Sequence, residues 1–293
     1  MTIGIIGLGE VGSCYSSGLA EQGLSILGYD LLLRQPEFAA KEERCRKAGV
    51  EFTSGNEELV RRSDWVFAIT TCAQTVETAT IAAEFLRPGQ IYVDFNSSIP
   101  SVKEEARAVV EATGADFCDA CSVNTPLTYG LQNKIVMAGK RAGEVADYLN
   151  AHKMNIRNMG PEIGKAAAYK VIRSIYMKGT EALMLETIAA AQKQGILDEV
   201  IDSIVGLMED DFRKTISILV RAGTVHSERR AHEVGDVAIM LDQMGLDNTM
   251  ASAAYKKLRW YTEMGVKDHF HATIPDDLSG IADFMIEAGQ PGK

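Results

Sequence analysis

Ile3-Gly4-Ile5-Ile6-Gly7-Leu8-Gly9-Glu10-Val11-Gly12 is a short apolar run that breaks into three glycines at the spacing G-x-G-x-x-G. Ile3 to Ile6 reads as a strand, and Val11 to Gln22 as the helix that follows it. Each glycine has its own physical task in such a turn. Gly7 permits the tight bend, Gly9 lets the backbone approach a pyrophosphate, and Gly12 lets the helix pack closely on the strand. The helix start adds free N–H groups and the positive end of its dipole. Leu8, Glu10 and Val11 fill the remaining places, so residues 7–12 form the expected phosphate-holding loop. The glycine pattern alone is weak evidence. Its position between a strand and a helix gives it weight.

Outward from this loop, short apolar runs alternate with amphipathic stretches. Leu24 to Tyr29, Trp65 to Ile69, Ile91 to Val93, Ala115 to Cys118 and Ile135 to Ala138 read as further strands. Thr75 to Leu86, Ser101 to Ala112 and Ala142 to Ala151 read as helices between them. Strands apolar on consecutive residues suit a sheet covered on both faces, and the alternation implies parallel pairing through right-handed crossovers. The texture changes after Gly160-Pro161-Glu162-Ile163-Gly164. From there the pattern is helical: Lys165 to Gln194, Asp198 to Met208, Asp211 to Ala222, Ser227 to Met244 and Asn248 to Met264, with Gly195, Gly223, Gly245 and Gly265 as stops. The expected fold class is therefore α/β, an N-terminal Rossmann doubly wound parallel sheet over residues 1–163 followed by an all-α domain over 164–293. The tail Gly289 to Lys293 reads as frayed.

Bulk properties remove several functional classes. Forty acidic against thirty basic residues give a net charge of −10, which repels phosphate backbones and anionic lipid. Nucleic acid and membrane surfaces are thus unexpected partners. No apolar stretch approaches the roughly 20 residues needed to span a bilayer. The N-terminus lacks a basic leader, and five irregularly placed cysteines make no disulfide framework, which together fit a reducing cytoplasm. The histidines show no metal-ligand spacing, so no metal is expected. Cys118-Asp119-Ala120-Cys121 has redox spacing but reads as coincidence inside a strand.

The second strand closes on Asp30, where a carboxylate can accept from both ribose hydroxyls and repel a 2′-phosphate. NAD is favoured. Arg34, four residues on, leaves NADP as the alternative. Open α/β sheets bind ligands at the carboxyl ends of their strands, which selects Thr70-Thr71-Cys72-Ala73 and Asp94-Phe95-Asn96-Ser97-Ser98-Ile99-Pro100. Either loop also reads as ordinary helix capping. Thr70, Thr71 and Asn96 are the cofactor candidates here. On the helix after Gly164, Lys170, Arg173 and Ser174 share a face. A lysine there, aimed at a nucleotide cleft, can act as a general acid or base, with burial and a nearby guanidinium lowering its pKa.

These residues resemble the β-hydroxyacid dehydrogenase family, which includes 3-hydroxyisobutyrate and 6-phosphogluconate dehydrogenases. The family's Asp-x-Ser-Thr-x-x-Pro segment is similar to Asp94 through Pro100, and its Gly-x-x-Gly-x-Gly-x-x-x-Lys-x-x-Asn-Asn stretch to Pro161 through Ser174. Lys170 falls at the catalytic lysine, Gly164 at a glycine, and Arg173 and Ser174 at the two asparagines. Val123-Asn124-Thr125-Pro126 stands where the family carries Ser-Gly-Gly to hold a substrate carboxylate. The helical part, including Arg229 to Glu233 and Leu258 to Trp260, looks like the C-terminal domain of a branch without assigned function; Arg229, Arg230 and Glu233 read as surface charge.

The resemblance implies an NAD(P)-dependent oxidoreductase acting on a small 3-hydroxy acid or related polar alcohol or aldehyde. In it Lys170 moves the proton, Ser174 and Arg173 stand beside it, and Asn96, Ser97, Asn124 and Thr125 join Lys170 in holding substrate. Imine reduction and non-catalytic dinucleotide sensing are the rivals. The Met- and Leu-rich helical half, with Leu183-Met184-Leu185 and Leu207-Met208, leads to an expected homodimer.

Overall fold

The computed structural model describes residues 1–209 and 211–288; the tail expected to fray lies outside them. Contacts divide the chain into two units, the first spanning Met1–Ile175 and the second beginning at Tyr176. Eight strands form one sheet: β1 (Thr2–Ile6), β2 (Ser25–Tyr29), β3 (Glu51–Phe52), β4 (Trp65–Ala68), β5 (Ile91–Asp94), β6 (Asp116–Ser122), β7 (Lys134–Ala138) and β8 (Asn155–Asn158). The helices are α1 (Glu10–Glu21), α2 (Ala39–Ala48), α3 (Asn56–Arg62), α4 (Thr75–Ala83), α5 (Pro100–Glu111), α6 (Pro126–Tyr129), α7 (Ala142–Ala151), α8 (Lys165–Gln194), α9 (Leu197–Glu209), α10 (Phe212–Gln243), α11 (Thr249–Glu263), α12 (Val266–His269) and α13 (Ser279–Ala288).

The sheet order is β3-β2-β1-β4-β5-β6-β7-β8. The order reverses between β1 and β4, so their connections leave on opposite faces and open a crevice above the carboxyl ends. Strand alternation explains why both faces are covered. Ile3, Ile5, Phe67, Ile91 and Val93 point to one side and pack with Tyr15 and Leu19 of α1 and Val145 and Leu149 of α7. Ile6, Val66, Ala68 and Tyr92 point to the other and pack with Leu59 of α3, Ala79 of α4 and Ala106 of α5. The N-terminal turn of α8 closes a third cluster, in which Ala166 and Ala167 meet Cys121, Val136 and Ala138.

Three features depart from the pattern read along the chain. β7 runs antiparallel to β6. Residues 123–133 join them, and a parallel return takes a helical crossover of about a dozen residues or more, so the chain turns back as a hairpin. β3 and β8 carry no alternating apolar signal; in β8 only Ile156 is buried, as suits an edge strand. Gly223 does not stop a helix, because α10 runs unbroken from Phe212 to Gln243. A Cβ at Gly223 would lie 3.9 Å from the Tyr261 ring and one at Gly235 would lie 3.3 Å from Tyr255, so these glycines sit where α10 and α11 pack together. Gly195, Gly245 and Gly265, by contrast, take the left-handed conformation at helix ends.

In the helical unit, α8 clamps its neighbours by their termini. Both carboxylate oxygens of Glu186 accept from the N–H groups of Met250 and Ala251, at 2.8 and 2.9 Å, in the first turn of α11. Lys193 donates to the Met244 carbonyl at the end of α10. Each charge meets the helix end of opposite polarity. A small core gathers Tyr261, Val266, Ile281 and Phe284. Among the described residues no helix is long and apolar enough to cross a membrane.

Candidate active site

The crevice at the sheet's reversal is a pocket of about 930 Å³ lined entirely by the first unit. One wall is the glycine loop. Gly7 takes φ 92°, and a Cβ on it would stand 2.4 Å from the Ile69 carbonyl oxygen. A Cβ on Gly12 would stand 1.9 Å from the Gly7 carbonyl oxygen, so only glycine lets α1 start this close to the turn. Gly9 faces open space, leaving its backbone free for close approach by a ligand. The first turn of α1 leaves the N–H groups of Glu10, Val11 and Gly12 without helical acceptors.

Asp30 closes β2 beside this loop. One oxygen accepts from the Leu8 N–H at 2.7 Å and the other from the Leu32 N–H at 2.9 Å. The carboxylate therefore orients the glycine loop and keeps lone pairs for a further donor. Arg34 is not on the pocket wall. Its backbone is left-handed, and its N–H donates to Glu42.

Thr70, Thr71, Asn96, Ser97, Asn124, Thr125 and Lys170 all reach the pocket. Asn96 donates to Thr70 Oγ1 at 3.1 Å, which ties the loop after β5 to the loop after β4. Its Oδ1 is buried with no partner among the described residues. An orphaned acceptor beside a cavity awaits a donor. Lys170 Nζ donates to Ser97 Oγ at 2.6 Å. Burial holds the Lys170 amine below its ordinary pKa; the Cys121 thiol opposes this, and Lys103 and Arg173 reinforce it.

Two residues expected beside the lysine turn elsewhere. The Ser174 hydroxyl donates to the Lys170 carbonyl of its own helix at 3.0 Å, and Arg173 donates to the Val123 carbonyl at 3.2 Å. Neither lines the pocket. Arg173 pins the Val123-Asn124 segment from behind. Gly164, at φ 87° and with a would-be Cβ 3.2 Å from Pro100, lets α8 begin against the start of α5.

Sequence reasoning missed Ser122, Gln74, Glu77 and Asn56 on the pocket wall. Ser122 had a signal: it ends β6 at the sheet's carboxyl edge. It also missed Lys103, buried with Ala106 and Val110 on α5 at helical spacing, where a lysine interrupts an apolar stripe. Cys118 and Cys121 lie three apart in β6 and point to opposite faces. Burial pushes their thiols up to about 12 and about 11, so neither is a ready nucleophile.

The residues present fit a dinucleotide. The glycine loop is closed to side chains at two positions and open at the third, an acidic residue follows β2, and Asn96 on the pocket wall keeps an unpartnered amide oxygen. The volume exceeds what a small substrate alone needs.

Comparison with known proteins agrees with this geometry. Residues 2–126 match the NAD binding domain of 6-phosphogluconate dehydrogenase, and residues 191–261 match a domain of unknown function (DUF1932). The match gives most of the first unit an NAD-binding domain's sequence pattern. A conserved protein of unknown function, described as structurally similar to 3-hydroxyacid dehydrogenases, is 29% identical with a TM-score of 0.61, covering 89% of this chain and 98% of its own. The 2-(hydroxymethyl)glutarate dehydrogenase of Eubacterium barkeri is 23% identical over 70% of this chain and 68% of its own. An imine reductase from Myxococcus stipitatus, solved with NADP+, shares the fold at a TM-score of 0.76 and 20% identity, covering 90% of this chain and 95% of its own. A variant of that enzyme was solved with NAD+.

Proposed function

Because the chain carries the NAD-binding domain of the 6-phosphogluconate dehydrogenase family, we propose that it transfers hydride between a nicotinamide cofactor and a small 3-hydroxy acid or related polar alcohol or aldehyde. The observation that carries this reading is the Lys170–Ser97 hydrogen bond of 2.6 Å on the wall of the pocket that also holds the glycine loop. The nicotinamide, when bound, supplies or accepts the hydride. Lys170 does the proton work. In reduction its ammonium protonates the carbonyl oxygen; in oxidation its free amine takes the hydroxyl proton. Ser97 fixes the direction of that amine, and its own proton can point to the substrate oxygen. Asn124 and Thr125, where relatives use small residues, offer hydrogen bonds to the substrate's polar end. Asp30 favours NAD over NADP by repelling a 2′-phosphate.

A panel of 3-hydroxy acids, their semialdehydes, and ketoacids with and without amines tests this, each run with NAD(H) and NADP(H). Turnover of a hydroxy acid or its carbonyl partner, without need of an amine, is the expected result. Turnover only when an amine is present moves the chemistry to imines. Tight NADH binding with silence across the panel leaves a dinucleotide sensor. The chain acts as a homodimer through its helical unit in this reading, and sedimentation equilibrium should return twice the chain mass.

A further inference from the structure

The most deeply buried charge in the first unit has no part in holding a dinucleotide. Lys103 is fully buried, and its Nζ lies 2.7 Å from Asp94 Oδ2 and 3.1 Å from Asp119 Oδ1, both carboxylates being buried as well. It also donates to the carbonyl oxygens of Asp94 at 2.9 Å and Ala120 at 3.4 Å. Burial pulls the Lys103 ammonium down, but Asp94 and Asp119 together outweigh it, so the amine keeps its proton. Such a cluster is a poor way to gain stability, since well-packed apolar side chains of similar volume often serve as well or better. Its geometry suggests another purpose.

The remaining carboxylate oxygens lead outward to the active-site wall. Asp94 Oδ1 accepts from the Asn96 N–H at 3.2 Å, one residue before Ser97. Asp119 Oδ2 accepts from the Ala167 N–H at 2.9 Å, in the first turn of α8 and three residues before Lys170. One buried ammonium therefore ties together the two segments that carry the hydroxyl and the amine. We propose that Lys103 is a positioning residue that, through Asp94 and Asp119, holds the Ser97 hydroxyl and the Lys170 amine at hydrogen-bonding distance. The functional sense of this inference rests on Lys170 as the proton-transferring group, but its test does not require turnover.

The test reads Lys170 directly, as the pH dependence of its acylation by acetic anhydride in the full chain, quantified by peptide mass spectrometry. The groups facing that amine are Cys121 from β6, Lys103 from α5 and Arg173 from its own helix. Ser97→Ala sets the scale. Losing an acceptor to an ammonium should lower the Lys170 midpoint by about one unit. Lys103→Met alone deletes a positive charge that itself holds the Lys170 pKa down, so the charge-balanced Lys103→Met/Asp119→Asn carries the test. It removes one charge of each sign, keeps the net charge of the cluster, and should lower the Lys170 midpoint as Ser97→Ala does while NADH binding, followed by fluorescence, is retained. Lys103→Arg, which keeps the charge but changes the length of the bridge, should give a smaller shift in the same direction. A Lys170 midpoint unchanged in the folded variants, with Ser97→Ala shifting it, overturns the proposal. Loss of turnover in Lys170→Ala is a separate result that tests the catalytic reading alone.

Discussion

In the sheet-bearing unit the large apolar side chains of β1, β4 and β5 are covered, whereas in the helical unit Leu185, Leu207 and Ile239 stand 63%, 61% and 56% exposed. The physical origin lies in periodicity. A strand alternates its side chains between two faces, and here helices cover both, so every position of β4 and β5 is buried. A helix buries one stripe, and α9 carries such a stripe, with Leu197, Val200, Ile201, Ile204 and Val205 at helical spacing, yet has no buried residue. The first unit therefore completes its own core. The second leaves large apolar side chains exposed. In the proposed function, chemistry belongs to the first unit and assembly to the second.

The sharpest way to break this division is to damage the glycine loop alone. Gly12→Ala forces a Cβ to within 1.9 Å of the Gly7 carbonyl oxygen. Overpacking of this kind costs about 1–3 kcal/mol of folding stability, and the displacement it forces on the loop should weaken NADH binding by about tenfold or more. Oligomeric state should be unchanged, as sedimentation would report. Loss of assembly in this variant would join what the comparison separates.

A second consequence concerns pH. Burial lowers the Lys170 pKa, so the free amine forms at lower pH than in an ordinary lysine. Oxidation needs that amine and should accelerate with pH up to the lowered value, by about tenfold per unit on the rising limb. Reduction needs the ammonium and should slow above the same value. Opposed initial-rate profiles with one shared midpoint, shifted down in Ser97→Ala, would place the titration at this pair.

The smallest effect belongs to the helical unit. Glu186→Ala strips the acceptor from the N-terminus of α11 and should cost about 1 kcal/mol, a few degrees in melting temperature, with NADH affinity unaltered.

Legibility in the sequence followed the range of the interactions. The glycine loop was readable because its constraint is local: six residues contain the turn, the open backbone and the close helix start. Ala142–Ala151 and Lys165–Gln194 matched their apolar or proline-free patterns. The antiparallel β7 was not readable, since pairing direction depends on a partner eleven or more residues away and on what the intervening loop can span. Two-residue β3 and polar β8 lack any periodic signal. Gly223 looked like a stop because glycine usually is one; here it lies inside unbroken α10, on the side packed against Tyr261 of α11. Within the site, Thr70, Asn96, Ser97 and Lys170 could be named because strand ends and a lysine-bearing helix advertise themselves. Lys103 could not, because a lysine on an amphipathic helix reads as solvent-facing until its two carboxylate partners are brought beside it by β5 and β6.

The account stands most directly on paired measurements of Lys170→Ala: NADH affinity by fluorescence titration, and turnover of whichever hydroxy acid the wild type accepts. NADH affinity should stay within about twofold, since the glycine loop and Asp30 are untouched, and turnover should fall by about 100-fold or more. Turnover close to wild type, with the nucleotide still bound, would contradict it.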